Sequence, residues 1–226
     1  MKILTVICAR AGSKGVPRKN MKLLNNLPLI THTIIISDLV RAIDSVVIST
    51  DDDEIINYLT SWGVKNIQKR PSELATDTAS KWDVFRYIAE CNPGYDALVD
   101  LDTGCPLRAP QDITECIEKL KTGYDVVVTA YEADRNPYFN MVRVTDGRAH
   151  VCSEISNDVI ANRQEAPKVY SLSPSVFAIR TEALFKWSHW SRSNLGIVEI
   201  PRRRGIDIDT LEDFEFVEYL MRKDAK

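Results

Sequence analysis

Short apolar runs alternate with amphipathic stretches from the first residues onward. "ILTVI" (3–7) and "SVVIST" (45–50) are rich in β-branched residues and end in polar loops, the pattern of strands buried on both faces of a parallel sheet. "PLITHTIIISDLVRA" (28–42) and "DDDEIINYLTSWG" (51–63) predict helices, the second with aspartates at its start and Gly63 beyond its end. The alternation continues with a helix over 78–90, a strand at 97–101, a helix at 110–121 opened by Pro110, and a strand at 125–131. This order predicts an α/β fold, an open and mostly parallel sheet with helices on both faces.

The period changes near residue 138. "FNMVRVTDGRAHVC" reads as two extended runs around Asp146-Gly147, a favoured hairpin turn, and predicts an arm projecting from the sheet. A polar stretch (153–172) follows, then strands at 175–179 and 196–200 and a last helix over 211–222. No repeat, low-complexity tract or linker divides the chain, so one domain is expected over 1–226, with the arm inserted at 138–172.

Composition narrows the class of partner. The 226 residues carry 29 Lys and Arg against 32 Asp and Glu, a net charge of -3, which does not favour binding to nucleic acid or to an anionic membrane through the molecule as a whole. Five scattered cysteines without a CxxC pair argue against a disulfide framework and a thiolate zinc site, and suit a reducing cytoplasm. No segment approaches the roughly 18 apolar residues of a membrane span.

Candidate chemistry collects in three stretches. In "CARAGSKGVPRKN" (8–20), Arg10, Lys14, Arg18 and Lys19 stand in a segment without an acid, just after the first strand, where open α/β sheets bind phosphate. Gly12 and Gly15 lack the Walker A and G-x-G-x-x-G spacings, but two glycines beside four cations suit a polyphosphate. In "GIDIDTLED" (205–213), Asp207 and Asp209 alternate with Ile206 and Ile208, so as a strand they present both carboxylates on one face, a fit for magnesium; Asp209 or Thr210 is equally placed to cap the last helix. In "KRPSELATDTASKWD" (69–83), Arg70 and the backbone before a helix offer hydrogen bonds to a base edge, or form only a capped loop.

With "VISTDD" (47–52) and "CPLR" (105–108), these stretches resemble the acylneuraminate cytidylyltransferases, the CMP-sialic acid synthetase family, in order and spacing across nearly the whole chain. The resemblance implies a Rossmann-like fold of the nucleotide-diphosphate-sugar transferase type. It also implies the reaction of CTP with a 2-keto-3-deoxy sugar acid to give CMP-sugar and pyrophosphate. Carried over, Arg10, Lys14 and Lys19 grip the triphosphate, with Asn20 and the loop residues Ala9, Ala11, Gly12 and Ser13 in the nucleotide site. Arg70, Ala79 and Ser80 meet cytosine, and Asp207 and Asp209 hold Mg2+. The resemblance further implies a homodimer in which the 138–172 arm closes over the partner's sugar site.

Departures fall on the sugar side. Asp102 replaces a family Gln, Lys81 a second serine, Ser173-Pro174 an Asn-Gly, and Ser171 an Arg. Arg163, in a retained "RQ" step, is the candidate for the sugar carboxylate, with Lys168 a weaker one; Tyr170 is a further expected sugar contact, and Asp102 meets an amino or hydroxyl substituent of the sugar or serves as another metal ligand. These changes favour a legionaminic- or pseudaminic-like nonulosonate, or another 2-keto-3-deoxy acid, over N-acetylneuraminate. They also fit a module that holds a nucleotide without turnover. None of His32, His150 and His189 is placed as a convincing general base.

Overall fold

The computed structural model describes residues 1–153 and 160–224. Strand β1 (Ile3–Cys8) opens the chain. A two-strand ribbon, β2 (Leu23–Leu24) and β3 (Leu27–Pro28), turns through Asn25 and Asn26, both at positive φ (46° and 68°), as a two-residue hairpin turn requires. It leads into α1 (Leu29–Asp38), followed by β4 (Ser45–Thr50), α2 (Asp53–Ser61) and β5 (Ile67–Lys69). Then come α3 (Lys81–Cys91), β6 (Ala97–Asp100), α4 (Pro110–Lys121) and β7 (Val126–Glu132). The hairpin β8 (Val142–Thr145) and β9 (Arg148–Val151) precedes β10 (Tyr170–Arg180), α5 (Thr181–Lys186), β11 (Leu195–Glu199) and α6 (Leu211–Asp224).

Seven strands form one sheet in the order β11-β7-β10-β6-β1-β4-β5. All neighbours are parallel except β10, which runs antiparallel to both β6 and β7. Side chains alternate across each strand, so β1 sends Ile3 and Ile7 toward α1, α2 and α4, and Leu4 and Val6 toward α3 and α5. Both faces are thereby covered, which is why these strands read as unbroken apolar runs rather than as alternating ones. A third cluster, with Val16, Leu24, Leu29, Ile208, Phe214 and Val217, fastens α6 to the loop after β1.

Several boundaries differ from the sequence reading, among them the start of α3, at Lys81 rather than 78. The first helix stops at Asp38 rather than 42: the N–H of Leu39 bonds back to the carbonyls of Ile36 and Ser37, and the hydroxyl of Ser37 to that of Ile34, tightening the last turn. Residues 206–209 pair with no strand among the described residues, and Ile208 is fully buried between half-buried Asp207 and exposed Asp209. The last helix runs on to Asp224. The strand expected at 175–179 spans eleven residues and shifts register between Ser173 and Phe177, a bulge that pushes Pro174 out of the ladder. Part of the 138–172 arm, residues 154–159, lies outside the described residues; the hairpin expected around Asp146-Gly147 is formed, with Val142 opposite Val151 and Val144 opposite Ala149.

Candidate active site

Beyond the carboxyl ends of β1 and β6 lies a cleft of about 420 Å³, where an open α/β sheet places its ligands. Arg10, Ser13, Lys14, Lys19 and Asn20 enter it from the loop after β1, Arg70 and Ala79 from the segment before α3, Asp102 and Thr103 from the loop after β6, and Asp209 from just before α6. Residues nearly two hundred positions apart thus share one space.

The loop after β1 is bound to its surroundings by its own side chains. Lys19 Nζ donates to the carbonyl of Ile208 at 2.6 Å, tying the basic loop to the paired-aspartate segment. Asn20 is buried; its amide donates to the Arg10 carbonyl at 3.2 Å, and its Oδ1 accepts from Thr103 Oγ1 at 2.7 Å. The tight approach is made possible by Gly15, where a Cβ would collide with the carbonyl oxygen of Asp209. A second glycine does the same deeper down: at Gly104 a Cβ would collide with Asp207 Oδ1. Gly12, in contrast, faces open space, and the positive φ of this loop belongs to Arg18 (53°).

The cations divide. Arg18 turns away to Glu54, so the expected cluster of four becomes three at the cleft. Arg10 and Lys14 both pair with Asp77, at 2.9 and 2.6 Å, and Lys14 and then Arg10 hold that carboxyl below its usual range. Arg70 is buried, its Nε donating to Ser49 Oγ at 3.2 Å and its Nη2 to the Ser49 carbonyl at 2.9 Å, which fixes its fork at the wall.

At the acidic end the capping question has an answer. Thr210 is the cap: its Oγ1 accepts from the N–H of Asp213 at 3.1 Å while Asp213 Oδ2 accepts from the Thr210 N–H at 2.8 Å, a reciprocal box that leaves the Asp209 carboxylate in the cleft. Asp207 lies beneath, its Oδ1 buried without a hydrogen-bond partner among the described residues. Burial first, then the charges of Asp102 and Asp209, push its carboxyl up to about 6. A half-buried carboxylate with an orphaned oxygen, crowded by two others, fits a divalent cation. Among the described residues no group of three or more His, Cys, Asp and Glu is arranged to hold a metal alone, so substrate oxygens would complete the coordination.

Several expected contacts sit elsewhere. Ala9 is buried and donates its N–H to the Ser49 carbonyl at 3.0 Å; Ala11 donates its N–H to Asp51 Oδ1 at 3.0 Å. The hydroxyl of Ser80 accepts from the Trp82 N–H at 3.1 Å, capping α3. Arg163 is exposed in a short 3-10 turn, Arg163–Glu165, and Tyr170 donates its hydroxyl to Glu199 Oε2 at 3.0 Å; neither lines the cleft of its own chain. Lys168 pairs with Glu132 at 3.0 Å. Ser173 is buried and donates to the Gly205 carbonyl at 3.0 Å, so this departure from the family pattern is spent inside the fold. No histidine lines the cleft: His32 bonds the Leu24 carbonyl, His150 lies on β9, and His189 caps the turn before Ser191.

Sequence reasoning missed the partner of Asp102. Lys81 Nζ stands 2.8 Å from Asp102 Oδ2 and 2.6 Å from Asp100 Oδ2. Burial pushes the Asp100 carboxyl up, while Lys81 holds Asp102 well below the usual range despite its burial. Loss of water works against the Lys81 charge, but the two carboxylates keep its pKa well above the usual value. The signal was present in "VDLDTG", whose aspartates alternate at the end of a strand. Cys8 also lines the cleft, its thiol pushed up to about 12 by burial and the Asp100 charge, and therefore unreactive.

The sequence pattern described as Cytidylyltransferase matches residues 4–223. The chain belongs to this family. As a cytidylyltransferase it is 35% identical over 227 residues to the post-translational flagellin modification protein B of Campylobacter coli, covering 98% of this chain and 95% of that one. It is 34% identical over 228 residues to the CMP-N,N'-diacetyllegionaminic acid synthase of Campylobacter jejuni, covering 97% and 94%. Its fold is similar to that of a CMP:2-keto-3-deoxy-manno-octonic acid synthetase complexed with CTP, with a TM-score of 0.76 at 19% identity and coverage of 99% and 100%. The expected family and fold class hold, and the cytidylyltransferase is a CTP-dependent nucleotidyltransferase.

Proposed function

We propose that this cytidylyltransferase transfers CMP from CTP to the anomeric 2-hydroxyl of a nonulosonate of legionaminic- or pseudaminic-like type and releases pyrophosphate. The observation that carries this reading is the meeting of Arg10, Lys14 and Lys19 with Asp209 in one cleft. Near full-length similarity to a CMP-N,N'-diacetyllegionaminic acid synthase supports the choice of acceptor.

In this reading the sugar hydroxyl oxygen attacks the α-phosphorus in line, the bond to the leaving pyrophosphate breaks, and the hydroxyl proton passes to solvent water. Arg10, Lys14 and Lys19 offset the negative charge of the triphosphate and of the departing pyrophosphate. Ser13 and Asn20 shape the nucleotide site, and Arg70 with the backbone near Ala79 orients the cytosine. Asp207 and Asp209 would hold Mg2+, which when bound offsets charge on the phosphoryl oxygens. Arg10 and Lys14 exchange Asp77 for phosphate oxygens as CTP enters.

The enzyme acts as a homodimer in the cytoplasm. Among the described residues no helix is long and apolar enough to cross a membrane, and all five cysteines are free, which supports a reducing compartment. One face of the β8–β9 hairpin carries Val142, Val144, Ala149 and Val151, with Val142 and Val144 58% and 70% exposed, an apolar surface suited to a second copy. Arg163 and Tyr170, away from the cleft of their own chain, meet the sugar acid only when this arm closes over the partner's cleft.

The test is pyrophosphate release with CTP and magnesium against sialic, legionaminic, pseudaminic and simpler 2-keto-3-deoxy acids. A response confined to one modified nonulosonate is expected. Silence across all of them, with CTP still bound, would instead favour a nucleotide-binding module without turnover.

A further inference from the structure

Behind the cleft lies a second cavity of about 140 Å³, walled by Trp82, Phe85, Pro174, Phe177, His189 and Trp190. Phe177 and Trp190 meet edge to face at 5.8 Å, and the bulge in β10 brings Pro174 and Phe177 to the wall. Ser80, Lys81 and Asp100 add polar groups to this aromatic chamber. Lys81, the first residue of α3, lines both chamber and cleft, and so forms the partition between them.

The hydrogen-bonding capacity of this partition is not exhausted within the protein. An ammonium has three donors. One is donated to Asp102 Oδ2 at 2.8 Å, while Asp100 Oδ2 is held as an ion pair at 2.6 Å, so donor capacity is left over. Among the described residues, neither buried carboxylate oxygen of Asp100 has a hydrogen-bond partner. A donor and an acceptor thus stand side by side at the entrance to an apolar chamber. Asp100 is buried, whereas Lys81 and Asp102 stay 42% and 27% exposed, so a ligand in the cleft can reach the trio.

A ligand group that satisfies the partition has to accept from Lys81, donate to a carboxylate and end in a small apolar tail. A secondary amide does all three. A hydroxyl brings no apolar tail to the chamber, and a free ammonium is repelled by Lys81. We propose that Lys81, Asp100 and Asp102 determine acceptor specificity by selecting an acylamino substituent of the sugar acid, whose carbonyl meets Lys81 and whose acyl end fills the aromatic chamber. This rests on the transferase reading above. It also makes Lys81 and Asp102, two departures from the family pattern, a single ion-paired change.

The experiment compares kcat/KM for an N-acylated nonulosonic acid with that for its analogue bearing a hydroxyl at the same position, while CTP affinity is measured separately. The wild-type enzyme is expected to prefer the acylamino acceptor by about a hundredfold, since the hydroxyl leaves the apolar chamber without its acyl end, and a missing apolar group in such a pocket costs roughly 10- to 200-fold. Lys81→Met, Asp102→Asn and the double variant should each bring that ratio within about tenfold, with the singles losing nearly as much as the double because the residues act as a unit. Trp190→Ala reads the same ratio from the opposite wall of the chamber, should a charge variant fail to fold. Equal losses on both acceptors in all variants would overturn the specificity role and leave the transferase reading intact. A wild-type enzyme that binds CTP but turns over neither acceptor would overturn both.

Discussion

At Gly15 the absence of a Cβ lets the basic loop touch the backbone of Asp209, and the Lys19 bond to the Ile208 carbonyl secures the contact. Asp209 itself is exposed and free of the helix cap, so Asp209→Asn keeps size and packing and removes only the charge. Turnover should fall by about a hundredfold or more, with the far-ultraviolet circular dichroism and melting temperature unchanged. Full activity of this variant in magnesium would remove the metal assignment. Asp207 gives a different signature. Its carboxyl, raised to about 6, keeps a proton that the unfolded chain has lost, so its contribution to stability declines as pH rises from the ordinary carboxylate range through that value. In protein freed of divalent cations, Asp207→Asn should therefore gain melting temperature relative to the wild type across that window. Added magnesium should close the gap by binding the ionised wild-type carboxylate. Parallel curves would show that Asp207 is not the crowded group.

Elements defined by local signals were legible in the sequence. The aspartates ahead of α2, Pro110 at the start of α4 and Asp146-Gly147 in the hairpin act within a few residues of where they stand, and each element formed where expected. The end of α1 and the full length of β10 were less legible, because Ser37 rebonds to its own helix and β10 is set by pairing with β6 and β7. At α6, local sequence allowed Asp209 or Thr210 as the cap, and the structure chose Thr210. Thr210→Ala should cost about 1 kcal/mol in urea unfolding, the usual worth of such a cap. A change of that size would be absent if Asp209 did the capping.

For the whole molecule, the proposed dimer is tested at the arm. Replacing Val142 and Val144 with aspartate puts two charges on the apolar face of the hairpin without touching the cleft. On the proposed arm-mediated dimer, sedimentation should show a dimer for the wild type and monomers for this variant, with CTP binding retained and turnover lost because Arg163 no longer reaches the partner's sugar acid. A dimer that survives both charges would place the interface elsewhere. Sequence by itself determined the α/β order and the basic and acidic stretches that meet at the cleft, because periodicity, turn chemistry and charge are properties of neighbouring residues. Only the tertiary structure decided that Arg18 leaves the cleft, that Asp77 takes Arg10 and Lys14, and that Lys81 stands between two aspartates beside an aromatic chamber. Each of these depends on which loops the crossovers of the sheet bring together, and a charge shows its partner only once the chain has folded around it.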